Sequence, residues 1–165
     1  MGAKELQRRL KDDYKVMVHY KRVYYGKNLA LDRLYGPWKE SFDNLYRFKA
    51  QIELCCPGSF VVIDHHTINN KIRFSRLFFA LKPCVDGFLQ GCRPYLAVDS
   101  TFLIGKFIGQ LCIACAVDGN NWMYPVAVGV IDSETNKNWQ WFMERLKEAI
   151  GSPLVSHFAL IVGRQ

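Results

Sequence analysis

The sequence contains no apolar stretch near eighteen residues, the length a bilayer-crossing helix needs. No leader with a basic start, an apolar middle and a small-residue cleavage site opens it. Its six cysteines do not form the spaced framework of a secreted, disulfide-stapled domain: Cys55 and Cys56 are adjacent, and Cys112 and Cys115 sit inside an apolar run. Membrane partners and the secreted class are therefore not expected, and the chain reads as intracellular, reduced and soluble. Internal repeats and low-complexity tracts are missing too. Gly105-Lys106 lacks the spaced glycines of a phosphate-binding loop, so no nucleotide partner is expected. Acidic residues are the minority, 15 against 22 Lys and Arg, which leaves a net charge of +7 and a pI of about 9.2. That balance suits a polyanion such as DNA, since each neutralised phosphate releases counterions, but it fits a plain basic protein as well.

What is present is core material. Half of the 165 residues are hydrophobic and 14% are aromatic, which excludes a disordered chain and suffices for one domain, or one domain with a small helical lead-in. The first third reads as helical. Leu6, Leu10, Val16 and Val18 give mixed apolar spacing among charges; a second segment around Leu29 to Leu34 stops at Gly36-Pro37; Phe42, Leu45, Tyr46, Lys49 and Ile52 carry a third, closed by Pro57-Gly58. From Ser59 the period changes. Phe60 to Ile63 and Phe74 to Phe79 are strand-like and flank Asn69-Asn70, a plausible hairpin, and a short helical turn follows from Pro83 to Gly91.

Three strand candidates come next, Tyr95 to Leu103, Gln110 to Asp118 and Met123 to Ile131, with links short enough to join only antiparallel neighbours. The nearly continuous apolar run from Leu111 to Val117 marks a strand buried on both faces. Trp139, Phe142, Met143, Leu146, Ala149 and Ile150 recur at helical spacing, with Ser133, Thr135 and Asn136 as N-cap options and Gly151-Ser152-Pro153 as a stop. Phe158 to Val162 reads as a last strand, and a strand reached through a helix runs parallel to its partner. The fold class is thus α/β: three antiparallel strands, a helix and a fourth strand, preceded by a helical and β-hairpin region. The segments are 1–58 helical, 59–92 hairpin and connecting turn, and 93–165 the α/β part.

Asp99 is the first candidate for chemistry, a lone carboxylate in an otherwise apolar strand from Tyr95 to Leu103. Burying it unpaired is costly, so a partner, a hydrogen bond or a metal should offset it. The alternative is an Asp bonded locally to Ser100 or Thr101. Asp118 precedes Gly119-Asn120-Asn121 and reads as a turn residue; Asp132 and Glu134 read as caps at a helix N-terminus. His65-His66 and Cys55-Cys56 are adjacent pairs, poor for tetrahedral zinc, and Cys112 and Cys115, three apart on a strand, would point to opposite faces. Lys4, Arg8, Arg9, Lys21 and Arg22, with tyrosines interleaved, could grip a nucleic-acid backbone, or could be the solvated face of helices.

The run Gly87-Phe88, Gly91-Cys92-Arg93-Pro94-Tyr95-Leu96-Ala97-Val98-Asp99-Ser100-Thr101-Phe102-Leu103 resembles the start of the catalytic domain of Mutator-like element transposases. So do Gly105-Lys106-Phe107, Ala116 to Asn121, Tyr124-Pro125-Val126-Ala127, Ser133-Glu134 and Trp139-Gln140-Trp141-Phe142 with Leu146. The resemblance implies a ribonuclease H-like fold, nuclear DNA transposition, and two Asp and a Glu that hold Mg²⁺ or Mn²⁺ for strand cleavage and transfer. Asp99 matches the first of the three. Gly163 stands where the resemblance expects the second, and the third would lie beyond Gln165. Glu134 holds a patterned position. The expectation is a transposase-derived fragment without cleavage activity of its own and without a cofactor. It would bind DNA at most weakly, or serve as a domesticated interaction module. A sheet left open at its fourth strand would favour self-association or capture by full-length transposase.

Overall fold

The computed structural model describes residues 1–36, 41–68, 70–105, 107–151 and 159–162. Pro37, Asn69, Lys106, Ser152-Pro153, Phe158 and Gly163 to Gln165, all used in the sequence reading, lie outside the described residues. The order is α1 (Ala3–Tyr14), α2 (Tyr20–Tyr35), α3 (Ser41–Cys55), β1 (Phe60–Ile68), β2 (Lys71–Ala80), α4 (Lys82–Gly91), β3 (Tyr95–Leu103), β4 (Gly109–Val117), β5 (Met123–Ile131), α5 (Asn136–Ile150) and β6 (Ala159–Val162). The chain forms two compact units, Met1–Leu45 and Tyr46–Gln165. Phe48 of α3 packs edge-on against Phe79 of β2, with ring centroids 5.7 Å apart.

In the first unit, the helical segment read from Leu6 to Val18 is shorter than its apolar spacing suggested. α1 stops at Tyr14 because Lys15 takes a left-handed conformation, φ 56°, which turns the chain out of the helix. The backbone N–H of Val16 then donates to Leu10 O at 3.2 Å. The following residues run back along α1, where Gln7 Nε2 donates to Val18 O at 2.8 Å. His19 caps α2, its Nδ1 accepting the backbone N–H of Lys21 at 3.3 Å.

The second unit is built on a six-stranded mixed sheet in the order β1-β2-β5-β4-β3-β6. Every neighbouring pair is antiparallel except β3 and β6, which run parallel with Val98 opposite Val162. The chain is α/β, with the hairpin extending the same sheet through β2 and β5. Cross-strand partners share a face, so the register Ser100↔Cys112↔Gly129↔Phe78 marks one row across four strands. α5 lies on that face, since the Phe142 ring sits against Gly129 and stacks edge-on with Phe78 at 5.3 Å. Phe78, Cys112, Phe142 and Ile131 are fully buried there. β4, read as buried on both faces, has no exposed residue, whereas β3 alternates between buried and exposed. The reason is coverage: Leu96, Val98 and Ser100 face α5, while Ala97, Asp99 and Thr101 lie open.

Gly129 is required by this packing. A Cβ there would stand 2.7 Å from Phe142 Cδ2 and 3.2 Å from the Leu77 carbonyl oxygen. Gly129→Ala should therefore cost about 1–3 kcal/mol in a urea melt, the usual penalty of overpacking. Gly119→Ala, which meets nothing within 4 Å, should stay within about 0.5 kcal/mol of the parent. Equal effects at the two positions would refute the seating of α5 on this row.

Candidate functional site

Asp99 sits in the middle of β3, flanked by β4 on one side and β6 on the other. It is not buried. The alternation of the strand turns its side chain to the face opposite α5, where it is exposed, so it needs no compensating charge to be tolerated. Its Oδ1 accepts the backbone N–H of Ser100 at 2.8 Å, the local bond of the simpler reading. Across this face Asp99 pairs with Ile113, Ile113 with Val128, and Val128 with Phe79. The row passes from exposed at Asp99 to half-buried at the other three, so the carboxylate lies at the open end of an apolar strip.

The opposite face carries a polar relay that the sequence did not announce as one. Ser100 Oγ donates to Gln110 Oε1 at 2.6 Å, and Gln110 Nε2 donates to Glu134 Oε2 at 2.9 Å. Trp139 Nε1 closes it by donating to Glu134 Oε1 at 3.3 Å. Ser100 and Gln110 are both buried, which is tolerable because each has its partner. The signal was available, since Gln110 is a lone amide entering the apolar run of β4.

Glu134 and Asp132 were read as helix caps, and the structure corrects this. The cap of α5 is Thr135, whose hydroxyl accepts the backbone N–H of Asn138 at 3.3 Å. Glu134 is drawn instead into the relay, and Asp132 Oδ1 accepts from Asn138 Nδ2 at 2.8 Å. Asn138 Oδ1 in turn accepts from Arg76 Nη1 at 3.2 Å, and Arg76 Nη2 donates to Asp64 Oδ2 at 2.7 Å. The Arg76 guanidinium lies 4.5 Å from the centroid of Trp141, so charge, hydrogen bonds and an aromatic face together fix β1, β2 and α5. Asp118 is the turn residue it was read to be, its Oδ1 accepting the N–H groups of Asn120 and Trp122 at 2.8 and 2.9 Å.

His66 Nε2 lies 2.8 Å from Ser75 Oγ and 3.6 Å from Asp132 Oδ2. This has the residues of a nucleophilic triad but not its geometry. Both partners meet the same ring nitrogen, and Ser75 is buried, out of reach of a substrate. His65 and His66 are both exposed, and a register shift separates Asp64 from His65. All six cysteines are free; Cys112 and Cys115 are buried, and a register shift precedes Cys115. Among the described residues no group of three or more His, Cys, Asp or Glu is placed to hold a metal ion.

A two-metal carboxylate set needs several oxygen ligands converging on one point. Asp99 opens to one face of the sheet, while the Gln110 amide holds Glu134 on the other. The described residues do not fit that set.

The basic candidates belong to the first unit. Lys4, Arg8, Arg9, Lys21 and Arg22 are all exposed. Arg8 donates to both carboxylate oxygens of Glu5, at 3.1 and 2.9 Å, and Arg9 to one of them at 3.5 Å. The Arg8 guanidinium first, then that of Arg9, hold the Glu5 carboxyl below its ordinary range. Among the described residues no helix is long and apolar enough to cross a membrane.

An α/β sheet with a lone carboxylate on its interior strand and a helical crossover to a parallel neighbour is the class these features define. Residues 95–161 match the family model described as the MULE transposase domain. Over that segment the chain is similar to the MULE transposase domain. No curated protein and no solved structure matches the chain.

Cys112 sits in the centre of this region, fully buried, with the carboxylates of Glu134 and Asp99 near enough to act on it. Burial first, and then those two charges, push its thiol from 9.0 up to about 12. A raised folded-state value means that the unfolded chain loses this proton first. The stabilising effect is complete below pH 9 and is lost as pH rises toward 12. Urea melts should show stability falling as pH rises from about 9, with Cys112→Ala flattening that fall. An unchanged slope in the variant would contradict the assignment.

Proposed function

We propose that the second unit is a ribonuclease H-like transposase sheet that carries the first catalytic carboxylate, Asp99, and does not cleave DNA. The observation that carries this reading is the parallel pairing of β6 on β3 at Val98↔Val162, one residue before Asp99. Three antiparallel strands followed through a helix by a parallel neighbour of the first is the opening order of such a sheet. In the sequence, Val162 is followed by Gly163, which has no carboxylate, where the family resemblance expects the second Asp. One carboxylate does not hold two divalent ions. The intact family domain would use Mg²⁺ or Mn²⁺; this chain needs no cofactor on our reading. Family descent favours an intracellular, nuclear setting.

A second reading, a domesticated module that binds DNA or a full-length transposase, is favoured by charge. Residues 1–45 hold ten Lys and Arg against six Asp and Glu, the denser part of the basic surplus. Lys4, Arg8, Arg9, Lys21 and Arg22 would meet phosphates there, and the edge of the sheet would serve self-association.

Supercoiled plasmid incubated with the chain and Mg²⁺ or Mn²⁺ should remain uncut, with Asp99→Ala indistinguishable from the parent. Gly163→Asp should restore a second ligand and raise Mn²⁺ affinity by on the order of tenfold, read by electron paramagnetic resonance and abolished by Asp99→Ala. Metal-dependent nicking by the parent that disappears in Asp99→Ala would sink the inactive reading.

A further inference from the structure

The first unit contains a groove of about 620 Å³ between α1 and the segment that runs back along it. Lys4, Arg8 and Lys11 form one wall, spaced at four and three residues so that they share a face of α1. His19 stands on the rim, and Val16 and Met17 supply an apolar floor. Met17 is 81% exposed, an unbranched apolar side chain left open beside three cations. Glu5 offsets only part of this charge, because one carboxylate serves both Arg8 and Arg9, and exposed pairs of this kind are weak. Asp12 lies one turn beyond Arg8, and its field also reaches that guanidinium.

We propose that this groove binds single-stranded nucleic acid, phosphates on the Lys4–Arg8–Lys11 wall and an unstacked base over Val16 and Met17. Charge selects a polyanion. The floor selects the single strand, since a duplex presents phosphates outward and keeps its bases stacked, leaving the apolar surface wet. From Lys4 to Lys11 the wall spans about 10 Å, enough for roughly three phosphates of one strand. The assignment differs from the five-residue DNA reading above: Lys11 enters, and Arg9, Lys21 and Arg22 are not needed. It does not depend on the transposase reading, so either can fail without the other.

Fluorescence anisotropy of the full chain with a labelled thymidine oligomer of about 15 nucleotides tests it. The oligomer should bind more tightly than a duplex of equal length. The triple variant Lys4→Gln, Arg8→Gln, Lys11→Gln should flatten the slope of log affinity against log salt by about 2. A variant with the same charge change elsewhere, Lys49→Gln, Lys82→Gln, Lys147→Gln, should leave the single-strand preference intact. Met17→Ser lies outside the helices, so it tests the floor even where the triple variant loses helicity; it should weaken the single strand roughly tenfold and the duplex little. A uridine oligomer run in parallel shows which sugar binds tighter, and binding of either supports the groove. The proposal is overturned by duplex binding as tight as single-strand binding, by equal slopes for the two triple variants, or by poly-glutamate competing as well as the oligomer.

Discussion

Phe142 seats against Gly129 and Phe78, and most of what surrounds Asp99 follows from that contact. It presses α5 onto the row Ser100–Cys112–Gly129–Phe78, and so decides which face of the sheet is dry. With α5 fixed there, its Thr135 cap leaves the preceding residue, Glu134, over the end of β4, where Gln110 receives it. The same helix brings Trp141 and Asn138 to Arg76. One aromatic ring in the space left by a missing Cβ thus orders two polar networks. The hydrophobic term supplies the free energy and the glycine supplies the register.

The consequence for chemistry is a separation. The two carboxylates nearest the centre of the transposase-like segment stand on opposite faces of β3 and β4, although the buried Cys112 thiol feels both. Glu134, itself exposed, accepts at the outer end of a relay whose inner members are buried, a structural use that satisfies Gln110 and indirectly Ser100. Asp99 accepts the backbone N–H of its neighbour Ser100. An exposed Asp on an interior strand contributes little to stability and could be replaced without loss of fold.

Much of the second unit was legible because its signals are local. The short antiparallel links, the helical spacing of Trp139 to Ile150, and the apolar runs of β3, β4, β5 and β6 all correspond to observed elements. Asp118 could be read from the turn residues after it. What escaped was set by contacts distant in sequence. Asp99 was expected to be buried because strand composition does not say which face a helix will cover. Glu134 and Asp132 were expected to cap α5 because proximity in sequence favoured it, whereas Glu134 bonds to Gln110 on β4 and Asp132 to the Asn138 side chain rather than to backbone N–H groups. The end of α1 at Tyr14 turned on Lys15 adopting positive φ, a conformation that neither glycine nor asparagine advertised.

The parallel pairing of β6 with β3 brings the end of the transposase-like segment to the strand that carries Asp99. Nuclear Overhauser contacts between backbone protons of the two strands in the isotope-labelled chain measure it. The account predicts a parallel pattern with Leu96 opposite Leu160 and Val98 opposite Val162. An antiparallel pattern, or none while β3 and β4 remain paired, would contradict it.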